Sequence, residues 1–444
     1  MANAEQLRKE ILEKTREYYK VAFPEKTFSP GETYVNYGGR FFDHEELEYL
    51  VDSSLDFWLT AGRYCESLEE QLQKFLKTKA CLLTTSGSSA NLLAFMTLTA
   101  ESLGERRVKP GDEVITVAAG FPTTVSPSIQ YGAVPVFVDV EIPSYNIDIS
   151  QLEAALSEKT KAVMVAHTLG NPFNLKEVHA FCKKHKLWLI EDNCDALGST
   201  YDGKYTGTYG DLATCSFYPA HHMTTGEGGA VFVNNPYLKK ITLSLRDWGR
   251  DCWCPSGKDN TCGKRFEWDF SQLPKGYDHK YVYSHFGYNL KMTEMQAAVG
   301  CAQMKKLPTI IERRKQNHKF IKEQLLNYQD VLTLPEAEPL SDPSWFGFLI
   351  TVKDNASFSK ADIVKHLERN LIQTRNLFAG NLIKHPCFDG LRNRGEGYRV
   401  VGDLKNTDSI MNNTFWIGVY PGLDESRLKY MTDKISEYIE NESQ

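Results

Sequence analysis

Polar and apolar positions follow two rhythms along this chain. Residues 1–20 and 66–77 carry apolar side chains at the three- and four-residue spacing of amphipathic helices. Pro24, Pro30 and Gly31 end the first of these. From about residue 80 the pattern changes to short apolar runs: ACLLTT, DEVITVAA, AVPVFVDV, KAVMVAH, LWLIEDN, LATCSFY and GAVFVNN. Each is bounded by turn formers and predicts a buried strand, while stretches such as SSANLLAFMTLTAE and LKEVHAFCKKHK between them predict helices. Strands joined by crossover helices give a mostly parallel sheet covered by helices on both faces.

Residues 247–288 break that alternation, being rich in Gly, Pro, Asp and aromatic residues without periodicity. Ordered loops of such length are usually functional. A long helical pattern over 292–328 follows. GFLITV then predicts a strand, and KADIVKHLERN and ESRLKYMTDKISEYIE predict helices. The expected organisation is an N-terminal helical segment (1–35), a large α/β domain (36–305) and a smaller C-terminal α+β domain (306–444).

Charge and composition narrow the function classes. The 51 Lys and Arg against 57 Asp and Glu give a net charge of −6. That argues against nucleic acid as a partner but leaves room for one basic pocket holding a small phosphorylated ligand. No run reaches the roughly 18 apolar residues of a membrane span, and the charged N-terminus has no apolar signal core. The expectation is a cytoplasmic protein whose ten cysteines stay reduced. Cys65, Cys81, Cys182, Cys215, Cys301 and Cys387 stand singly among apolar or helical neighbours and read as small buried hydrophobes.

Three segments carry chemistry. SGSSAN (86–91) places Gly87, Ser88, Ser89 and Asn91 where a strand gives way to a helix; free amides and hydroxyls there suit a phosphate, or simply an N-cap. EDNCDALG (191–198) ends a buried strand in Glu191, Asp192 and Asp195, and a carboxylate at that edge can bind metal, act as base or pair with a protonated ring nitrogen. SFYPAHH (216–222) leads through a turn into the glycine-rich GEGGAV (226–231).

These motifs, with AGFPTTV (119–125) and GYNLKMTEMQAAVG (287–300), resemble in order the vitamin B6-dependent sugar aminotransferase and dehydratase family, fold type I enzymes acting on nucleotide-linked 4-keto sugars. The resemblance covers roughly residues 35–440. It implies that Gly87, Ser88, Ser89 and Ser216 hold the cofactor phosphate, Phe121 stacks on the pyridine ring and Asp192 pairs with the ring nitrogen. Asn289 would reach the phosphate from a neighbouring subunit, which requires a homodimer. In the family's S-F-x-x-x-K pattern the lysine tethers the cofactor, and here that position is His221. An imidazole cannot hold an aldehyde as a stable imine, so the cofactor expected is pyridoxamine phosphate (PMP), with His221 as the base acting at its C4′. The adjacent His222 should point elsewhere if the backbone is extended. Asp195 and Tyr218 shape the substrate pocket or simply pack, and Arg250, Arg375 and His385 are candidates for the diphosphate or sugar.

Four further cysteines follow the spacing C-x57-C-x-C-x7-C: Cys194, Cys252, Cys254 and Cys262. Four thiolates suit zinc or an iron–sulfur cluster, and a single intervening residue is less usual for structural zinc. Cys194 lies about 7 Å of extended chain beyond Asp192, so a cluster there would sit beside the cofactor. This spacing, with histidine for lysine, resembles the branch of the family that removes the C3 hydroxyl of CDP-4-keto-6-deoxyglucose. The resemblance implies PMP, a [2Fe–2S] cluster and a separate NADH-dependent flavin iron–sulfur reductase; the sequence does not show the reductase's docking surface, for which loop 247–288 is the natural suspect. Two rivals stand beside it: a PMP-dependent dehydratase regenerated by glutamate with cysteine-bound zinc, and a non-catalytic binding or redox-sensing protein on the same scaffold.

Overall fold

In the computed structural model, which describes residues 3–24 and 27–442, the short apolar runs assemble into one eight-stranded sheet. Its spatial order is 80–84, 229–233, 212–216, 188–192, 160–166, 113–117, 134–138 and 399–400. From 212–216 onward every neighbouring pair is parallel. Gly229–Val233 runs antiparallel to both its neighbours, so the sheet is mixed but mostly parallel. The strands Ala80–Thr84, Glu113–Val117, Trp188–Asp192, Leu212–Ser216 and Gly229–Val233 are buried along their whole length. Helices cover both faces, which is why these strands read as continuous apolar runs rather than alternating ones.

Gly87–Thr97 is the most deeply set of the covering helices. Ser86 caps it by accepting the Ser89 N–H at 3.0 Å, and Ala90, Leu93, Ala94 and Phe95 are buried against the sheet. Helix Glu294–Leu325 runs unbroken through Pro308 and across residue 305. It packs on helices His44–Asp56 and Arg63–Leu76 at one end and on Glu425–Glu442 at the other. A second, four-stranded antiparallel sheet in the order 332–333, 347–352, 414–418 and 375–376 carries its own core, including Phe348, Ile350, Phe415 and Ile435.

The N-terminal helix Ala4–Ala22 forms as its pattern predicts but buries no side chain. Arg8 and Arg16 fix it to Asp52 and Glu48, while Leu7, Ile11 and Tyr18 stay exposed. Residues 247–288 are irregular apart from short turns such as His279–Tyr281. Among the described residues no helix is long and apolar enough to cross a membrane.

Glu294 ties two elements together at the start of the long helix. Its buried carboxylate accepts the N–H groups of Gly62 (2.7 Å), Tyr64 and Cys65 (3.1 Å), the opening turn of Arg63–Leu76. Those amides have no partner within their own helix. Glu294→Ala should therefore cost about 2 kcal/mol or more in urea unfolding, and Glu294→Gln, which keeps an acceptor, clearly less.

Candidate active site

A cavity of about 760 Å³ opens at the carboxyl ends of the parallel strands, the edge where open α/β sheets place their ligands. Gly87, Ser88, Phe121, Asp192, Ser216 and His221 all line it. Asp192 ends the strand Trp188–Asp192 and is buried. Its Oδ2 accepts from Asn91 Nδ2 at 2.9 Å and Thr124 Oγ1 at 2.7 Å, and its Oδ1 from the Cys194 N–H at 3.2 Å. Thr214 in turn donates to Asn91 Oδ1 at 2.6 Å, fixing which way that amide faces.

Beside Asp192 the helix that begins at Gly87 presses against Ser216. A Cβ on Gly87 would lie 2.4 Å from Ser216 Cβ and 2.8 Å from its Oγ, so only glycine lets the two approach. The result is a concave corner made of first-turn amides, whose helix leaves them unpaired, and the hydroxyls of Ser88 and Ser216. Ser89 does not share the cavity wall. Its hydroxyl bonds Thr85 Oγ1 (2.8 Å) and Ser86 Oγ (3.0 Å), and Ser86 lines the cavity instead. Phe121 stands on the opposite wall, 49% exposed, with only the edge of Phe378 against it at 6.3 Å.

His221 sits in a turn, its N–H donating to Tyr218 O at 2.9 Å. Its imidazole packs 5.0 Å from the Phe346 ring, and Nδ1 lies 3.3 Å from Asp195 Oδ1, within ion-pair reach though off hydrogen-bonding geometry. Burial pushes the Asp195 carboxyl up, and the contact with His221 opposes that. His222 does point elsewhere, through the turn rather than through strand alternation. It is buried with Nε2 2.6 Å from Ser344 O, and burial drives its pKa well below the usual histidine value. No lysine is among the described residues that line the cavity.

Tyr218, Asp195, Arg375 and His385 also line the cavity. Arg250 does not; its guanidinium lies 4.6 Å from the Trp248 ring in the irregular loop. Asn289 is outside as well, exposed and accepting from Lys291 Nζ at 3.0 Å. Asn91, Thr124 and Phe346 belong to the site without having been singled out for these contacts by the sequence. Their links to Asp192 and His221 span up to 125 positions, so no local pattern points to them.

The four spaced cysteines are not gathered in one place. Cys252, Cys254 and Cys262 line a small pocket with Arg265, His279 and Lys280, whereas Cys194 lines the large cavity. The Cys194 amide donates to Asp192 at the sheet edge, and within the loop Asp251 pairs with His279 and Arg265 with Asp278. Among the described residues no group of three or more His, Cys, Asp or Glu side chains is arranged to hold a metal ion. Cys387, expected to be buried, is exposed at the cavity wall.

Residues 41–436 match the DegT/DnrJ/EryC1/StrS aminotransferase family. The lipopolysaccharide biosynthesis protein RfbH of Salmonella typhimurium is 55% identical over 98% of this chain and 99% of its own. The dTDP-4-dehydro-2,6-dideoxy-D-glucose 3-dehydratase of Saccharopolyspora spinosa is 47% identical over 98% of this chain and 92% of its own. Among solved structures, the E coli GDP-4-keto-6-deoxy-D-mannose-3-dehydratase with bound hydrated PLP is similar with a TM-score of 0.80 at 27% identity, over 90% of this chain and all of that one. The fold is therefore the fold type I aminotransferase architecture expected from the motifs.

The thiol environments separate into two classes. Burial tends to raise the Cys254 thiol, but hydrogen bonds from Thr261 and Cys252 outweigh it and leave it lowered; burial raises Cys81, Cys182 and Cys215. Brief iodoacetamide treatment of the metal-free protein at pH 8, read by peptide mapping, should mark Cys254 and exposed Cys387 first. Cys81, Cys182 and Cys215 should stay unmodified until the protein is denatured.

Proposed function

This chain belongs to the DegT/DnrJ/EryC1/StrS aminotransferase family, and from that premise we propose that it is the PMP-dependent 3-dehydratase of CDP-4-keto-6-deoxyglucose, forming a precursor of surface-polysaccharide 3,6-dideoxyhexoses in the cytoplasm. The observation that carries the reading is the cavity itself: among the described residues that line it are His221 and Asp192 and no lysine. The named relatives at 47% and 27% identity are both nucleotide-sugar 3-dehydratases.

The residues present fit the cofactor. The corner at Gly87, Ser88 and Ser216, which any side chain at 87 would fill, takes the phosphate. Asp192, held by Asn91, Thr124, Thr214 and the Cys194 amide, would pair with the ring nitrogen, and Phe121 supplies an exposed aromatic wall. Bound PMP supplies an amine that condenses with the sugar ketone and a protonated ring that serves as electron sink. His221 Nδ1 faces Asp195, so Nε2 is the atom that takes the C4′ proton and can hand it to the departing C3 hydroxyl. Asp195 steadies the imidazolium that results. Arg375 and His385, on the same wall, orient the diphosphate or sugar, and Asn289, outside this chain's own cavity, completes the phosphate site of a second copy in a homodimer.

The donor chemistry also suits a [2Fe–2S] cluster. Three thiols share one pocket, with Cys194 as the fourth ligand of the C-x57-C-x-C-x7-C set. Loop 247–288 must fold toward the cavity for Cys194 to join them, and the same loop would meet the NADH-dependent reductase. The second reading is a PMP-dependent dehydratase regenerated by glutamate, in which the cysteines hold zinc.

Anaerobically purified protein should contain about two irons and two sulfides per chain and bleach on dithionite reduction. Zinc without iron would select the second reading. With CDP-4-keto-6-deoxyglucose, turnover should exceed that with the dTDP- and GDP-linked analogues. His221→Ala should lower turnover at least about a hundredfold while PMP affinity is kept.

A further inference from the structure

Arg314 is a buried cation that none of the chemistry above uses. It lies on helix Glu294–Leu325 and is 1% exposed. No carboxylate lies within ion-pair distance of it among the described residues. Its two Nη atoms reach four backbone carbonyls instead, while Nε is buried without a hydrogen-bond partner among the described residues. Nη2 reaches Ala220 O at 3.0 Å and His221 O at 3.1 Å, while Nη1 reaches Phe346 O at 3.0 Å and Trp345 O at 3.4 Å.

The two halves of the fork thus hold two different segments. One is the turn that carries His221. The other carries Phe346, whose ring packs 5.0 Å from the imidazole at an interplanar angle of 47°. A neutral anchor would suffice merely to tie loops together. One turn further along the same helix, Asn317 does that with an amide, donating to Val419 O at 3.2 Å and Tyr420 O at 3.1 Å. Beside His221 the chain instead buries a guanidinium, whose planar fork fixes the angle between the segments it bridges in a way neither an amide nor a lysine can. The Asp195 carboxylate, which meets His221 Nδ1 at 3.3 Å, attracts the same guanidinium through space.

From this geometry we propose that Arg314 is the positioning residue that sets the imidazole of His221, clamping its main chain and its aromatic wall at once, with the Asp195 carboxylate within ion-pair reach of the ring. The proposal rests on the reading of His221 as the proton-transferring group. It assigns Arg314 no contact with substrate or cofactor.

The test compares Arg314→Lys and Arg314→Met in the full-length, PMP-loaded protein. A misplacement of the order of 1 Å in a catalytic group can cost about a hundredfold. Arg314→Lys should therefore lower kcat at least about tenfold and Arg314→Met further, with KM for the nucleotide sugar and PMP affinity held within about twofold. In cofactor-free protein the His221 Cε1–H resonance, identified by its loss in His221→Asn, should shift or split in both variants. If Arg314→Met does not fold, Arg314→Lys and Phe346→Leu decide, and both should move that resonance. The proposal is overturned if Arg314→Lys keeps kcat within about twofold with the resonance unmoved, or if kcat, KM and PMP affinity all worsen together. Full activity in His221→Ala would instead sink the base assignment while leaving the resonance prediction standing.

Discussion

Burying the Asp192 carboxylate requires donors at fixed positions, and the chain draws them from Asn91, Thr124, Thr214 and the Cys194 amide. Delivering Asn91 obliges the helix Gly87–Thr97 to begin against Ser216, at a distance only glycine allows. Delivering Thr124 obliges the next helix to begin at Pro122, which leaves Phe121 at the cavity wall. The corner at Gly87 and Ser216, the aromatic wall and the carboxylate are therefore one arrangement. The preceding residue points to the opposite face of the strand and is fixed just as firmly. Glu191, fully buried, accepts from the amides of Gly207 (2.7 Å), Tyr209 (2.7 Å) and Gly210 (2.6 Å) and lies 3.1 Å from His167 Nε2. The strand end is held from both sides, so the Asp192 carboxylate keeps one orientation at the cavity wall.

The contrast with residues 247–288 is instructive. That segment has little regular hydrogen bonding and is organised by side chains: Trp268 stacked on His279 at 4.6 Å, His279 on Asp251 at 2.7 Å, and Arg265 on Asp278 at 2.6 Å. It leaves Trp253, Phe266, Tyr283 and Phe286 exposed. A segment built this way can change its neighbours without unravelling a sheet or a helix, unlike the turn that bears Cys194.

Much of this was legible in the sequence because the signals are local. Continuous apolar runs marked the buried strands, Ser86 and Gly87 marked a helix start, and Asp192 and His221 were found at fixed offsets within motifs. The direction of Gly229–Val233 was not legible, since a strand buried on both faces reads the same parallel or antiparallel. The hydroxyl of Ser89 is engaged by Thr85 and Ser86 at the cap, a competition among neighbouring hydroxyls that the motif does not reveal. Arg314 was invisible for a different reason: its partners are carbonyls 93 and 94 positions away, and a carbonyl has no residue identity to leave in a sequence. Cysteine spacing likewise counts residues without fixing the path between them, so it could not say where Cys194 lies relative to the loop.

The two-residue strand Arg399–Val400 joins the far edge of the large sheet, parallel to Val136 and Phe137, although it belongs to the C-terminal part of the chain. Arg399 grips Glu113 through two nitrogens, and Asn406 and Thr407 donate to Asp139. The two sheets are thus riveted at a point well away from the covalent connection. A clamshell motion, with the smaller part swinging freely to admit a substrate, would have to tear this rivet each cycle. Any opening between the two parts is therefore opposed at this edge as well as at the chain that connects them.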